Sequence, residues 1–288
     1  MEVKKGRLCI AIPASVVSDT PHLREKTAKI GLIGRATAIF RVDEIIVYRD
    51  EPNIDQTADI NLIKTLLAYM ETPQYLRKRL FGLKPELRYV GILPPLRTPH
   101  HPLERRVKDL MVGEYREGFT LAKTREGMLV DVGVERPALL RDKSVRVGER
   151  VTVKIINVDK NVEAELANRS QIKDYWGYTV RTENCSFYRI ARDKKFDLTI
   201  ATSKHGTPFS QVAAKIAESW RKAKNILVLF GAPTQGLFEM AKREGLNLQD
   251  VVDFVVNTIP MQGTETVRTE EAIFATLAIF NLHFNFNV

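Results

Sequence analysis

The strongest constraint on the fold is an alternation of strand and helix patterns that breaks off and later resumes. Leu8–Val17 reads as a buried strand, and Ile30, Ile33, Thr37 and Phe40 recur at helical spacing. That spacing predicts an amphipathic helix over 24–40. Asp43-Glu44 leads into a second strand, Ile45–Tyr48, and another helix runs through Leu62, Leu66, Leu67 and Met70 to a break at Pro73. Such alternation predicts an α/β fold with a parallel sheet. It stops after Tyr89. Residues 91–102, GILPPLRTPHHP, hold four prolines and cannot form a regular element.

Five short strands follow: Phe119–Thr124, Met128–Val134, Ala138–Leu140, Val151–Val158 and Val162–Leu166, with turns at Glu126-Gly127 and Val147-Gly148. Their number and spacing suit a small β-barrel. The phrases GMLVDVGVE and VGERVTVKIINVD, within 110–168, resemble the S1 and OB class of RNA-binding barrels. Alternation then returns. Phe196–Thr202, Ile226–Phe230 and Phe254–Thr258 read as strands, while Val212, Ile216 and Trp220, then Leu237, Met240 and Ala241, mark helices. The barrel therefore reads as an insertion, 93–170, within one discontinuous α/β domain made of 1–92 and 171–288. The Pro-rich segment is its entry linker and 168–176 its exit.

A net charge of +9 points toward a polyanionic partner, most often nucleic acid. No segment is a basic tail, so folding must assemble any anion-binding surface. Cys9 and Cys185 are the only cysteines, which suits a reduced, cytoplasmic chain. Lys4, Lys5 and Arg7 before Leu8–Val17 superficially resemble a signal peptide. Pro13 and the lack of a small-residue cleavage site favour a first strand instead. No apolar stretch reaches the roughly 20 residues that span a bilayer. His100-His101 have no other ligand types nearby and read as solvated, so no metal is expected. Neither a phosphate loop nor GxGxxG occurs.

The most informative run is IPMQGTETVRTEEA, Ile259–Ala272, where a strand passes through a loop into a helix. Thr269, Glu270 and Glu271 stand where that helix begins, and its unpaired N–H groups can serve a polar ligand. Together with GLIGRATAIFRVDEIIVY (Gly31–Tyr48) and ILVLFGAPTQGLFE (Ile226–Glu239), this run resembles the three motifs of the SPOUT class of RNA methyltransferases. With its inserted barrel, the whole chain resembles that class's archaeal and eukaryotic branch.

The resemblance implies a doubly wound domain closed by a C-terminal trefoil knot, whose loops bind S-adenosylmethionine. The residues implied are Leu229, Phe230, Gly231, Gly236, Asn257, Ile259, Pro260, Met261, Gln262, Gly263 and Val267. It also implies a catalytic role for Arg35, although Lys29 stands where the ribose-methylating branch carries Asn. Through VRTEEA it implies a uridine base nitrogen in rRNA as acceptor, with Arg268 at the RNA phosphate or uracil and Glu270 ordering the loop. A ribose 2′-hydroxyl acceptor, or a non-catalytic RNA-binding or ribosome-assembly factor, is the alternative.

Arg77, Lys78, Arg79, Lys84 and Arg88 interleave with Tyr75, Phe81 and Tyr89, a pattern suited to looped RNA. Arg116, Lys123 and Arg125, with Arg136 and Arg141, extend the expected RNA surface onto the barrel. A homodimer is implied as well. Ile273, Phe274, Leu277, Phe280, Leu282, Phe284 and Phe286 give the last helix and tail more apolar surface than one helix face needs.

Overall fold

The computed structural model describes residues 6–142 and 144–284, so Lys4, Lys5 and Phe286 lie outside the described residues. In chain order the elements begin with β1 (Arg7–Pro13), α1 (Leu23–Ile39), β2 (Glu44–Tyr48), α2 (Thr57–Glu71) and α3 (Gln74–Leu80). Five strands follow: β3 (Tyr115–Lys123), β4 (Met128–Asp131), β5 (Ala138–Leu140), β6 (Arg150–Asn157) and β7 (Glu163–Leu166). Then come β8 (Thr179–Glu183), α4 (Phe187–Ala191), β9 (Leu198–Pro208), α5 (Phe209–Lys222) and β10 (Asn225–Leu229). The last are α6 (Leu237–Arg243), β11 (Phe254–Asn257) and α7 (Thr269–Phe284).

These elements form two compact units. One contains the residues up to Met70, Pro85–Pro95 and those from Tyr178 onward; the other contains Glu71–Lys84 and Leu96–Gly177. Helix α3 thus belongs to the barrel unit, although it precedes the Pro-rich segment in the chain.

The first unit is built on a six-stranded sheet of order β11-β9-β10-β1-β2-β8, parallel throughout. Helices on both faces of a parallel sheet bury its strands, which explains the continuous apolar runs. Leu8 to Pro13 in β1 and all of β2 are buried. The first strand ends at Pro13, and Ala14–Val17 turn into a 3-10 helix instead of continuing it.

Edge strand β8, TVRTE, escapes a pattern search because it has no apolar run. It pairs with β2 from Glu44↔Thr179 to Tyr48↔Glu183. Helix α1 buries most of its circumference and keeps one exposed stripe through Glu25, Ala28, Leu32 and Ile39. A Cβ on Gly31 would lie 3.0 Å from Pro94 Cδ, so the missing side chain lets the 93–95 segment pack against the helix.

In the second unit the strands close into a barrel of order β3-β4-β5-β7-β6, antiparallel except for β5 with β7. Closure removes free edges. Met128, Val130, Val132, Val153 and Ile155 are among its buried core.

A polar network lies beside that core. Arg150 donates through Nη1 and Nη2 to the two carboxylate oxygens of Glu71, at 2.7 and 3.1 Å, and through Nε to Glu117 at 2.5 Å. His100 and His101 are part of it and are not solvated. His100 is fully buried, and the Nε2 atoms of the two rings sit 2.8 and 2.7 Å from the Glu71 carbonyl. The proline run folds over that carbonyl, which stands at the end of α2 and otherwise lacks a helical donor. Burial and the neighbouring His100 pull His101 down to about 4, so it is neutral at pH 7.

Candidate active site

The carboxyl edge of a parallel sheet is where open α/β folds collect ligands. Beyond β9, β10 and β11 lies a pocket of about 250 Å³. Three loops build it. The first is an extrusion of β9: Ala201 pairs with Val255, but the next ladder pair is Thr207 with Val256, so residues 202–206 leave the sheet. A Cβ on Gly206 would come within 2.6 Å of the Val256 backbone, and only glycine allows so tight a return.

The second loop, 230–236, joins β10 to α6. Here a Cβ on Gly231 would lie 3.2 Å from Gly236 Cα and 3.3 Å from Leu237 N, so the turn leaves little room for a side chain.

The third loop is 257–269, and its own polar groups hold it. Asn257 donates Nδ2 to the Lys204 carbonyl at 2.9 Å and accepts the Ile259 N–H at 2.9 Å. Gln262 donates Nε2 to the carbonyls of Thr264 and Glu265 at 2.9 and 3.0 Å. Thr269 Oγ1 donates to the Gly231 carbonyl at 3.1 Å and ties the third loop to the second.

Of the residues expected to hold a cofactor, Phe230, Gly231, Gly236, Asn257, Ile259, Gln262 and Val267 line this pocket. Leu229, Pro260, Met261 and Gly263 do not line it. Leu229 is fully buried in the sheet, while Met261 is fully exposed at a left-handed φ of 59°. A Cβ on Gly263 would meet nothing within 4 Å. Residues Thr202–His205 line the pocket and were missed, as were Ala232–Gln235 and Glu239. The usable signal was Gly206 and Pro208 just after an apolar strand, a pairing that marks an irregular strand end.

Arg35, Arg268 and Glu270 are not part of that lining, although Thr269 and Ala272 in the first turn of α7 are. Arg35 donates Nη1 to the Pro95 carbonyl at 3.1 Å. Arg268 is exposed, and its backbone N–H donates to Glu271 at 2.9 Å. Glu270 is 5% exposed and faces α1, with its Oε2 3.6 Å from Lys29 Nζ and without a hydrogen-bond partner among the described residues. Lys29 is itself buried and donates to both Asp19 oxygens, at 2.7 and 2.8 Å. Burial pushes the Glu270 carboxyl up.

The expected RNA contacts divide between the two units. On α3, Lys78 and Arg79 are exposed; Arg77 donates Nε to the Thr72 carbonyl, and Arg79 pairs with Asp131 at 2.7 Å. Tyr75 is committed to barrel packing, with its hydroxyl donating to the Glu117 carbonyl at 2.7 Å. Lys84, Lys123 and Arg125 are exposed. Arg88 belongs to the sheet unit, its guanidinium 5.5 Å over the Tyr89 ring.

Arg116 is corrected: it is 2% exposed and its Nε donates to Glu114, so its charge is used internally. The apolar surplus of α7 is also largely consumed within the chain. Ile273, Leu277 and Phe280 are fully buried, and Phe284 stacks on Trp220 at 4.7 Å, while Leu282 stays 76% exposed.

Both cysteines are free thiols. Among the described residues no helix is long and apolar enough to cross a membrane, and no group of three His, Cys, Asp or Glu side chains is placed to hold a metal.

A family model described as "Putative RNA methyltransferase" matches residues 7–280. A protein of Mus musculus named 28S rRNA (uridine-N(3))-methyltransferase is 34% identical over 94% of this chain and 75% of its own length. The Homo sapiens protein of the same name is 33% identical over 94% of this chain and 77% of its own length. An uncharacterised protein of Haloarcula marismortui is 32% identical over 95% and 98% respectively.

Proposed function

Because the chain belongs to this RNA methyltransferase family, we propose that it moves a methyl group from S-adenosylmethionine to a uridine base nitrogen in rRNA. The observation that carries this reading is the pocket at the carboxyl ends of β9, β10 and β11, where three successive loops of residues 202–272 meet. It suits such a donor. Gly231 and Gly236 permit the tight turn of the second loop, Phe230 and Ile259 offer apolar contact, and Glu239 brings negative charge to the wall. When bound, the donor supplies an electrophilic methyl on a cationic sulfur.

Positioning provides most of the catalysis of such an in-line transfer. A uracil nitrogen must also lose its proton. Exposed Arg268, at the mouth of α7, is the cation we assign to the resulting anion or its phosphate. Glu270 acts from within: with Lys29 and Asp19 it fixes the start of α7 against α1, and through Thr269 the loop that faces the donor.

The same reading includes a SPOUT-type trefoil knot formed by the last two loops, an OB-like barrel that delivers RNA, a cytoplasmic location and a homodimer. Exposed Leu32 and Ile39 on α1, Ile92 beside it and Leu282 on α7 support the dimer, since these elements pack on one another. In it, Arg35 of one protomer approaches the donor of its partner.

Calorimetry with S-adenosylmethionine and mass spectrometry of nucleosides from treated rRNA test the proposal. Saturable binding and N3-methyluridine are expected. A 2′-O-methylated nucleoside would move the acceptor to ribose, and a folded chain that binds no donor would refute the enzyme.

A further inference from the structure

The loop and helix that wall the donor pocket have a counterpart elsewhere in the sheet unit. Residues 181–198 and 231–248 share one burial pattern, position for position. Strand β8 ends at Glu183 and β10 at Leu229, and after each a short loop leads to a short helix that turns its apolar side inward. Phe187, Ile190 and Ala191 do so in α4, and Leu237, Met240 and Ala241 in α6; all six join one buried cluster. The later copy forms the donor wall. The earlier copy opens on a separate pocket of about 300 Å³ at the carboxyl ends of β2 and β8.

Its chemistry differs from that of the donor pocket. Where the donor wall carries Glu239, the counterpart carries Arg189, and where it carries Gly236 the counterpart has Ser186, whose side chain does not cap α4. Arg189 is exposed and donates Nε to the Tyr188 hydroxyl at 3.3 Å, which holds guanidinium and phenol side by side. Arg49 donates Nη2 to Thr57 at 2.9 Å and pairs through it with exposed Asp55 at 3.5 Å, while its Nε is buried with no hydrogen-bond partner among the described residues.

Two acids share the rim. The Asp50 carboxylate accepts from the Ser15 N–H at 3.0 Å and the Gln56 amide at 2.8 Å, so its oxygens are engaged within the chain, while Glu244 lines the pocket beside Arg49 and Arg189. Arg243 spans the two pockets. It donates Nη1 to Gln235 on the donor wall at 2.7 Å and Nη2 to the carbonyl of Asp50 on the other.

We propose that this second pocket is a subsite for a nucleotide of single-stranded RNA flanking the methylated residue. Arg49 and Arg189 take the phosphate, Tyr188 stacks the base, and Asn184 and Ser186 meet its edge. Guanidinium groups match phosphate geometry, and aromatic faces accept any unstacked base. The subsite rests on the methyl-transfer reading and adds to it the course of the strand along the carboxyl edge of the sheet.

Cys185 lines this pocket and is part-buried, whereas Cys9 is 1% exposed inside the sheet, so alkylation of the native chain reports Cys185. In the intact protein, a uridine-containing RNA oligonucleotide is expected to slow that alkylation at least about threefold, and uridine monophosphate at equal concentration to leave it unchanged, because the strand supplies further phosphate contacts. In the Arg49→Ala/Arg189→Ala variant, the RNA dissociation constant is expected to rise about tenfold and the salt slope to fall by about 2, with donor affinity by calorimetry unchanged. RNA that binds with full affinity yet alters neither Cys185 alkylation nor, in the variant, the salt slope overturns the subsite and leaves methyl transfer standing. Equal protection by the mononucleotide overturns the strand in favour of a free-nucleotide site. A chain that binds neither donor nor RNA overturns both readings together.

Discussion

Replacing Arg150 by Ala removes the cation that holds two buried carboxylates in the barrel unit. The side chains of Glu71 and Glu117 are 7% and 2% exposed. Breaking a buried ion pair from one side costs roughly 3–5 kcal/mol, because the remaining charge is left uncompensated. Here some compensation survives. Glu71 keeps Arg169 at 3.4 Å and the His100 ring, and Glu117 keeps Thr152 Oγ1 at 2.7 Å and Trp176 Nε1 at 2.6 Å. The expected loss is therefore about 3 kcal/mol, the lower end of that range.

Acid sensitivity should change with it. Burial pushes the Glu71 carboxyl up, but the His100 hydrogen bond and the Arg150 charge outweigh it and bring the group from 4.5 down to about 2. A depressed carboxylate contributes stability that is complete above its unfolded value and is lost as the pH falls through its folded value. The parent barrel should thus weaken between about pH 4.5 and 2, and the variant should weaken less over that window. Urea unfolding followed by Trp176 fluorescence, in a Trp220→Phe background for both proteins, isolates the barrel unit. A loss below about 1 kcal/mol at pH 7, or an unaltered acid limb, would refute the argument that Arg150 compensates buried charge.

Lys29→Met should leave Asp19 and Glu270 facing each other without their cation and lower stability by about 3 kcal/mol at pH 7. Because the Glu270 carboxyl is already raised, its favourable contribution is complete at low pH and lost as pH rises through its folded value, so thermal melts should show a smaller deficit at pH 5 than at pH 8. Arg268→Ala, at an exposed position, should leave melting and donor affinity unchanged and lower kcat about 100-fold in a methyl-incorporation assay; an unchanged kcat would remove Arg268 from the chemistry. Gly231→Val should weaken donor binding at least about tenfold in calorimetry, since its Cβ meets backbone at 3.2 Å, whereas Gly263→Ala has open space around it and should bind as the parent does.

Periodicity and composition determined the element types. The apolar runs of β1, β2 and β10 announced a sheet buried on both faces, and the short strands after the proline segment announced a barrel. Local pattern carries such information because a strand or helix must present the same face to its core wherever that core lies. Motif spacing likewise brought Gly231, Gly236, Asn257 and Val267 to one pocket. Tertiary structure alone decided what depends on partners distant in the chain. Edge strand β8 is a strand because β2 supplies its hydrogen bonds, not because TVRTE has a pattern. His100 and Arg116 look like surface residues in the sequence and are buried because Glu71 and Glu114 pair with them. Thr202–His205 reach the donor pocket because the β9–β11 register slips, and Lys29 meets Glu270 because α1 packs on the start of α7. Burying a charge is costly without a partner, and the partner's position is a property of the assembled fold that no local stretch encodes.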